Sequence, residues 1–291
     1  VDLDDLLSDR YRAWAELPFE RLPFDIFGTK PSSPINAVAR SARKLLPSLL
    51  RHEAARVQRL EQDACAGADL VSLVSPSECE RLRTRSSAPV VDLPMAVPIS
   101  TTGGRRSANH VFDAVFLGRI THLTNLAGLD FLSKQVVPAF TALTGAAPRI
   151  AVVGKVSGAV EQWLIDGGLE PLGFVEDLSS VFDESVCAVA PQVVGGGVNT
   201  KILDYARLGL PVVGTRHAFG GLANQAGLPW RPIDDATEFA QEMIALRADK
   251  DRAEALRSTA ATYVDANYST QIVREKWRLA FQRATTHGEA I

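Results

Sequence analysis

The chain has 291 residues, 46% hydrophobic and 22% charged, which is ordinary globular composition with material for one or two cores. A net charge of −3 and an isoelectric point near 6.0 exclude a global electrostatic pull toward nucleic acid. No apolar run approaches the ~20 residues that a bilayer span requires, and Cys65, Cys79 and Cys187 show no metal-ligand or disulfide spacing, which points to a reduced, cytoplasmic setting.

The chain opens without an initiator Met, and Val1-Asp2-Leu3 reads like the end of a buried strand, so material before Val1 is expected to be missing. Asp2, Asp4 and Asp5 look superficially like a metal site but read better as loop and helix-start acids that favour a helix N-terminus. A short helix is predicted over Asp4 to Trp14. Leu17 to Pro34 is rich in Pro, Phe and polar residues and reads as a loop. Ile35 to Ala66 carries a long helical pattern that Pro47 should kink or split. Its Arg40, Arg43, Lys44, Arg51, Arg56 and Arg59 read as a solvated face interrupted by Glu53 and Glu61, with peripheral contact to an anionic membrane as the alternative. Asp69–Val74 and Val90–Leu93 are predicted strands flanking a helix over Pro76 to Arg85. Ser100 to Asn109 is polar and lacks periodicity, and a linker is placed at residues 100–111.

From Val111 onward, short apolar strands alternate with helices, the pattern of a parallel sheet covered on both faces. The strands are Ala114–Leu117, Ile150–Val153, Glu170–Leu172, Val186–Ala190 and Pro211–Val213. The helices between them are Asn125–Leu143, Gly158–Gly167, Leu178–Asp183 and Thr200–Leu208. Three further helices, Ala236–Leu246, Asp251–Asn267 and Thr270–Ala284, complete the chain. The expected fold class is α/β with two Rossmann-like domains. Residues 1–99 form an incomplete first domain, residues 112–267 the second, and residues 268–291 a helix crossing back to the first, with a tail.

The chemistry concentrates in Pro191 to Thr215, PQVVGGGVNTKILDYARLGLPVVGT. Gly195, Gly196 and Gly197 let the backbone approach a ligand and turn its amides toward it. A helix then starts near Asn199 or Thr200, either of which can cap it. Its free N–H groups and positive dipole end favour an anion such as a phosphate. Lys201 in the first turn opposes that dipole, which makes sense if a diphosphate neutralises both. Asp204 shares a face with Lys201, and a carboxylate can accept two hydrogen bonds from the paired hydroxyls of a ribose. The competing reading is a tight strand-to-helix turn with Lys201 and Asp204 as an exposed ion pair. His122 and His217 fall in loops near strand carboxyl ends, where a lone histidine is usually just solvated.

This stretch resembles the donor-site signature of the large retaining glycosyltransferase family 4, in which Gly-Gly-Gly, Lys-Ile-Leu-Glu and Ala-Gly-Leu-Pro-Val-Val is a common form. Val115-Phe116-Leu117-Gly118-Arg119-Ile120 resembles the first strand of that family's C-terminal domain, whose Gly-Arg pair faces the diphosphate. Leu172 to Leu178 resembles the strand and turn beside the base, and Ala188 to Pro191 the strand entering the glycine loop. Asp69 to Arg83 and Leu93-Pro94 resemble the last unit of the N-terminal domain and the start of the linker. The resemblance runs from Asp69 to about Phe281, more weakly from Val1.

The resemblance implies the GT-B fold and transfer of a sugar from a nucleotide-diphosphate sugar to an acceptor hydroxyl, in cell-envelope or exopolysaccharide synthesis. It implies no cofactor and no metal, and a glycan or lipid-linked glycan as acceptor. By its pattern Gly118, Arg119, Gly196, Gly197, Val198, Asn199, Thr200 and Lys201 hold the diphosphate, Asp204 the ribose, and Phe174 and Val175 lie beside the base. The catalytic residues are not named by it. The chain departs from the pattern in three places. The carboxylate eight residues before the ribose-binding one is Gly196, the ribose-binding Glu is Asp204, and a Lys common after Gly-Arg is Thr124. Met95-Ala96 also replaces the usual Asn-Gly of the linker. Two alternatives stay open: a non-catalytic or truncated nucleotide-sugar-binding protein, and a nucleotide-sugar epimerase of the same fold, for which no converging acid/base cluster is visible.

Overall fold

The computed structural model describes residues 1–19, 22, 43–98, 110–156 and 158–288, the last three without side chains. Five strands form one parallel sheet: β3 (Phe112–Leu117), β4 (Ile150–Val153), β5 (Glu170–Gly173), β6 (Ser185–Ala190) and β7 (Val212–Gly214). Their order across the sheet is β5-β4-β3-β6-β7. The chain therefore winds outward from β3 in one direction and, from β6, in the other. The expected α/β class and all five predicted strands are present, with ends shifted by two residues at most.

The strands are apolar on both faces because both are covered. On one side Ala114, Phe116, Ile150 and Val152 pack with Leu129, Leu132, Phe239 and Met243. On the other Val115, Ala151 and Val153 pack with Phe182, Ile202, Tyr205, Phe219, Trp230 and Tyr263. The predicted helix Asn125–Leu143 is two α-helical segments, Leu123–Phe131 and Val137–Thr144, joined by a π-helical turn at Leu132–Val136 just ahead of Pro138. A proline interior to a helix removes one backbone hydrogen bond, and a wider turn is one way to absorb that loss.

The first part of the chain builds a smaller parallel pair, β1 (Val71–Leu73) and β2 (Val90–Asp92). Val1–Leu3 lines up on the outer side of β1 through a parallel bridge from Asp2 to Ser72, with Leu3 N–H donating to Ser72 O at 3.0 Å and Ser72 N–H to Val1 O at 2.9 Å. The helix Leu7–Ala15 packs along the helix Leu46–Ala66, where Ser8 gives both its N–H (2.9 Å) and its hydroxyl (2.5 Å) to the buried Glu61 carboxylate. Pro47 stands where the predicted helix is split: residue 43 is helical, residues 44 and 45 form a turn, and a new helix starts at Leu46. It sits in the first turn, where a proline lacks only an N–H that has no intrahelical partner. Residues 35–42 of the predicted helix, and almost all of the expected linker, lie outside the described residues. The acids at the start form no common site: Asp2 accepts from Ser72 Oγ at 2.9 Å and Asp5 pairs with Arg10.

The last helix, Thr270–Gly288, packs against the first part of the chain. Lys276 pairs with Asp92 at the end of β2, and Trp277, Ala280 and Phe281 line a cavity with Val1, Leu70 and Leu93. Just before it, Val97 N–H donates to Tyr268 O at 2.8 Å.

One buried hydrogen bond ties the sheet to the glycine-loop helix: Leu117 N–H at the end of β3 donates to the Tyr205 hydroxyl at 2.7 Å. Tyr205 is fully buried. Tyr205→Phe is expected to destabilise the fold by about 1–3 kcal/mol, because the Leu117 amide loses its acceptor. Denaturant titration should show a lower midpoint at unchanged slope; an unchanged midpoint would mean that the amide finds another partner.

Candidate functional site

Because β3 and β6 lie side by side while their following helices cover opposite faces, the loops after these two strands diverge and leave a crevice at the strand carboxyl ends. A cavity of about 370 Å³ occupies that crevice. Leu117, Gly118 and Arg119 enter it after β3, and Gln192 with Val194 to Lys201 after β6. Every predicted diphosphate-site residue lines it, from Gly118 and Arg119 through Gly196, Gly197, Val198, Asn199 and Thr200 to Lys201. His122 and His217, expected to be merely solvated, line it too.

The predicted ribose and base residues are placed differently. Asp204 sits one turn along the helix Thr200–Arg207, half-buried, and is not among the lining residues. Burial raises its carboxyl above the usual range, an effect that Arg207 opposes. Phe174 is 78% exposed beyond β5, and Val175 packs on the second core.

The loop backbone explains its three glycines in part. Gly197 has φ +69°, where a side chain is strained. A Cβ on Gly221 would overlap the Gly197 carbonyl, so the turn after the short helix Arg216–Phe219 buttresses the loop by direct backbone approach. The helix beyond the loop has no side-chain cap. The Asn199 amide group, expected as a cap, donates instead to the Gln192 side chain, and Thr215 ties the Gln192 carbonyl from the other side. The first-turn N–H groups of a helix have no intrahelical acceptors, so without a cap they remain donors at the cavity wall.

Lys201 does not pair with Asp204. Its Nζ donates to Asn125 Oδ1 at 2.8 Å and lies 4.3 Å above the Phe116 ring. Asn125 is itself fixed by donating to the Arg119 carbonyl at 2.8 Å. Gly118 leaves room for this pair: a Cβ there would meet Asn125 Nδ2 at 2.9 Å and Lys201 Nζ at 3.1 Å. Burial pushes the Lys201 ammonium down to about 7, although the amide oxygen and the ring face both favour the charged form. His122 is lowered as well, first by burial and then by Arg10, Lys201 and Arg119 around it. Three cations thus converge on one small volume with no carboxylate among the lining residues.

Two contributors come from the first part of the chain and were not legible in the sequence. Arg10, on the helix Leu7–Ala15, lines the cavity opposite the glycine loop and pairs with Asp5. Trp14 on the same helix meets the His122 ring edge-on at 5.4 Å, and its indole N–H donates to Thr124 Oγ1 at 3.1 Å. Thr124 stands where the resembling family often has Lys, so the indole fills part of the space that a longer side chain would take.

The family model described as "Glycosyl transferases group 1" matches residues 112–249. No curated protein sequence matches the chain significantly. Among solved structures, a mutant of TarM from S. aureus in complex with fondaparinux, alpha-GlcNAc-glycerol and UDP superposes with a TM-score of 0.58 at 13% identity, over 73% of this chain and 44% of that one. HepE from Anabaena in complex with UDP and glucose gives 0.58 at 13%, over 78% and 67%. A glycosyltransferase from Rickettsia africae gives 0.58 at 12%, over 88% and 83%. The chain spans less than half the length of TarM. The matched segment, 112–249, contains the whole five-stranded parallel sheet and all the lining of the cavity except Arg10, and the fold is of the GT-B type.

Proposed function

We propose that the chain moves a sugar from a nucleotide-diphosphate sugar to an acceptor hydroxyl. One observation carries this reading: Arg10, Arg119, Lys201 and an uncapped helix N-terminus surround a single cavity at the switch point of the sheet. Such a set of donors suits a diphosphate. In the reaction the bond from the anomeric carbon to the diphosphate oxygen breaks, the acceptor oxygen bonds to that carbon, and the acceptor proton leaves. The diphosphate collects negative charge as it departs. Donors already aimed at it lower the barrier without reorganising.

In this proposal Gly118, Arg119, Gly196 to Thr200 and Lys201 hold the diphosphate. Asp204 takes the ribose, and Phe174 and Val175 lie beside the base. The neighbours solved with UDP support a nucleoside diphosphate as the donor fragment. Retention of anomeric configuration, membership of family 4, independence of a metal and a role in cell-envelope glycan synthesis follow from the resemblance and belong to the proposal. So do a cytoplasmic location and peripheral contact of the segment from Arg40 to Arg59 with a membrane. Among the described residues no helix is long and apolar enough to cross one.

Lys201→Ala is expected to weaken UDP by about 10- to 100-fold, the loss of a charge-assisted contact of ~1.5–3 kcal/mol. Asp204→Ala should weaken UDP but leave inorganic diphosphate nearly unchanged, and Asp204→Glu should be tolerated. Calorimetric titration of UDP, GDP and ADP decides. Binding of UDP by Lys201→Ala as tight as by the unaltered chain would remove the diphosphate from this cavity.

A pH dependence follows from the lowered Lys201. Its ammonium is charged below about 7 and neutral above. A bound diphosphate favours the charged form, so binding above pH 7 must take up a proton. Affinity for UDP-glucose, whose diphosphate does not titrate in this range, is therefore full below pH 7. Above it, affinity falls by up to about tenfold per unit. Calorimetry in buffers of different ionisation enthalpy should show proton uptake at pH 8 and little at pH 6; equal affinity and no uptake at both would contradict it.

A further inference from the structure

Glu78 is a carboxylate of the first part of the chain, buried to 1% exposure on the helix Pro76–Arg83. Its Oε1 accepts the N–H of Gly197, 119 residues away, at 2.9 Å. Its Oε2 accepts Leu6 N–H at 3.4 Å, and Arg81 Nη2 stands 3.6 Å from Oε1. No other hydrogen bond described in the structure joins the first part of the chain to the Gly195–Gly197 run. The backbone there has two residues at positive φ, Gly195 (+152°) and Gly197 (+69°), a conformation that three glycines by themselves hold only at a large entropic cost.

Space at the neighbouring residue is matched to the same carboxylate. Gly196 has no positive φ, so its backbone accepts any side chain, yet a Cβ there would lie 2.8 Å from Glu78 Oε1. A side chain at 196 would therefore press on the Glu78 carboxylate and displace it from its place at the Gly197 N–H. Where the resembling family carries its own carboxylate, this chain brings one in from the other segment.

Resting on the donor-site reading above, we propose that Glu78 is a positioning residue of the donor site: by accepting the Gly197 N–H it fixes the glycine loop against the cavity, and it couples donor affinity to the seating of the first segment on the second. Burial raises the Glu78 carboxyl, and the Gly197 and Leu6 amides with Arg81 oppose that rise. The group is thus held by its partners at a site that is unfavourable for its charge.

The test is a double-mutant cycle on the intact chain with two readouts, UDP-glucose affinity by calorimetry and amide hydrogen exchange of residues 195–198. Glu78→Ala and Gly196→Ala should each weaken UDP-glucose by about tenfold and speed loop exchange, because both remove the same contact. The double variant should be no worse than Glu78→Ala. Glu78→Gln, whose amide oxygen still accepts from Gly197, should stay within about threefold of the unaltered chain with loop exchange unchanged. Additive losses in the double variant would overturn the proposal, as would unchanged loop exchange in Glu78→Ala. If Glu78→Ala misfolds, Glu78→Asp, whose shorter side chain draws the carboxylate back from the Gly197 N–H, carries the exchange readout, and unchanged exchange of residues 195–198 in it would equally overturn the proposal. Should the unaltered chain bind no UDP-glucose, the donor reading fails, while the exchange measurements still decide the role of Glu78.

Discussion

The adjacency of β3 and β6 is the constraint from which the rest of the site follows. Parallel strands need long crossovers, and each right-handed crossover sends its helix to a face fixed by the direction of travel across the sheet. Travel reverses between these two strands, so no helix covers the crevice between their carboxyl ends. Both cavity-forming loops start there. Gly118-Arg119 follows one strand and the glycine run follows the other, and the Leu117–Tyr205 hydrogen bond holds the two at a fixed separation.

Within that crevice the electrostatics are one-sided. Arg10, Arg119 and Lys201 share a small volume with an uncapped helix end, and His122 beside them is lowered first by burial and then by these cations. Lys201 also loses hydration by lying over Phe116, with a single amide oxygen as its hydrogen-bond acceptor. A ligand carrying two negative charges relieves every one of these costs at once. Strain of this kind is expected where the folded chain is organised for a partner and not for its own stability.

The two parts of the chain meet at this same place. Trp14 braces His122 and Thr124, Arg10 faces the glycine loop, and Glu78 holds the Gly197 amide. On the far side the last helix returns to pair Lys276 with Asp92. Residues that line the cavity are therefore supported by a segment that takes no part in the five-stranded parallel sheet itself.

Much of the architecture was readable along the chain. Five short apolar strands separated by helical patterns specify a covered parallel sheet, because continuous apolar runs are needed only where both faces are buried. The strand–glycine–helix order around Gly195–Gly197 likewise specifies a backbone loop at a strand carboxyl end, since its conformation depends on neighbours in sequence. What tertiary structure decided involves partners far apart in the chain. Lys201 turns to Asn125 and not to Asp204, because the open end of β3 brings Asn125 within reach. Asn199 reaches Gln192 in place of its own helix. The split expected at Pro47 falls just ahead of it, so that the proline opens the second helix and does not interrupt it. Arg10 reaches the cavity, and Glu78 the Gly197 amide beside it, from segments whose local pattern is that of ordinary amphipathic helices. Local sequence fixes backbone preference and periodicity over a few residues. Which charged side chain finds a buried partner depends on how distant helices pack, and no spacing along the chain encodes that contact.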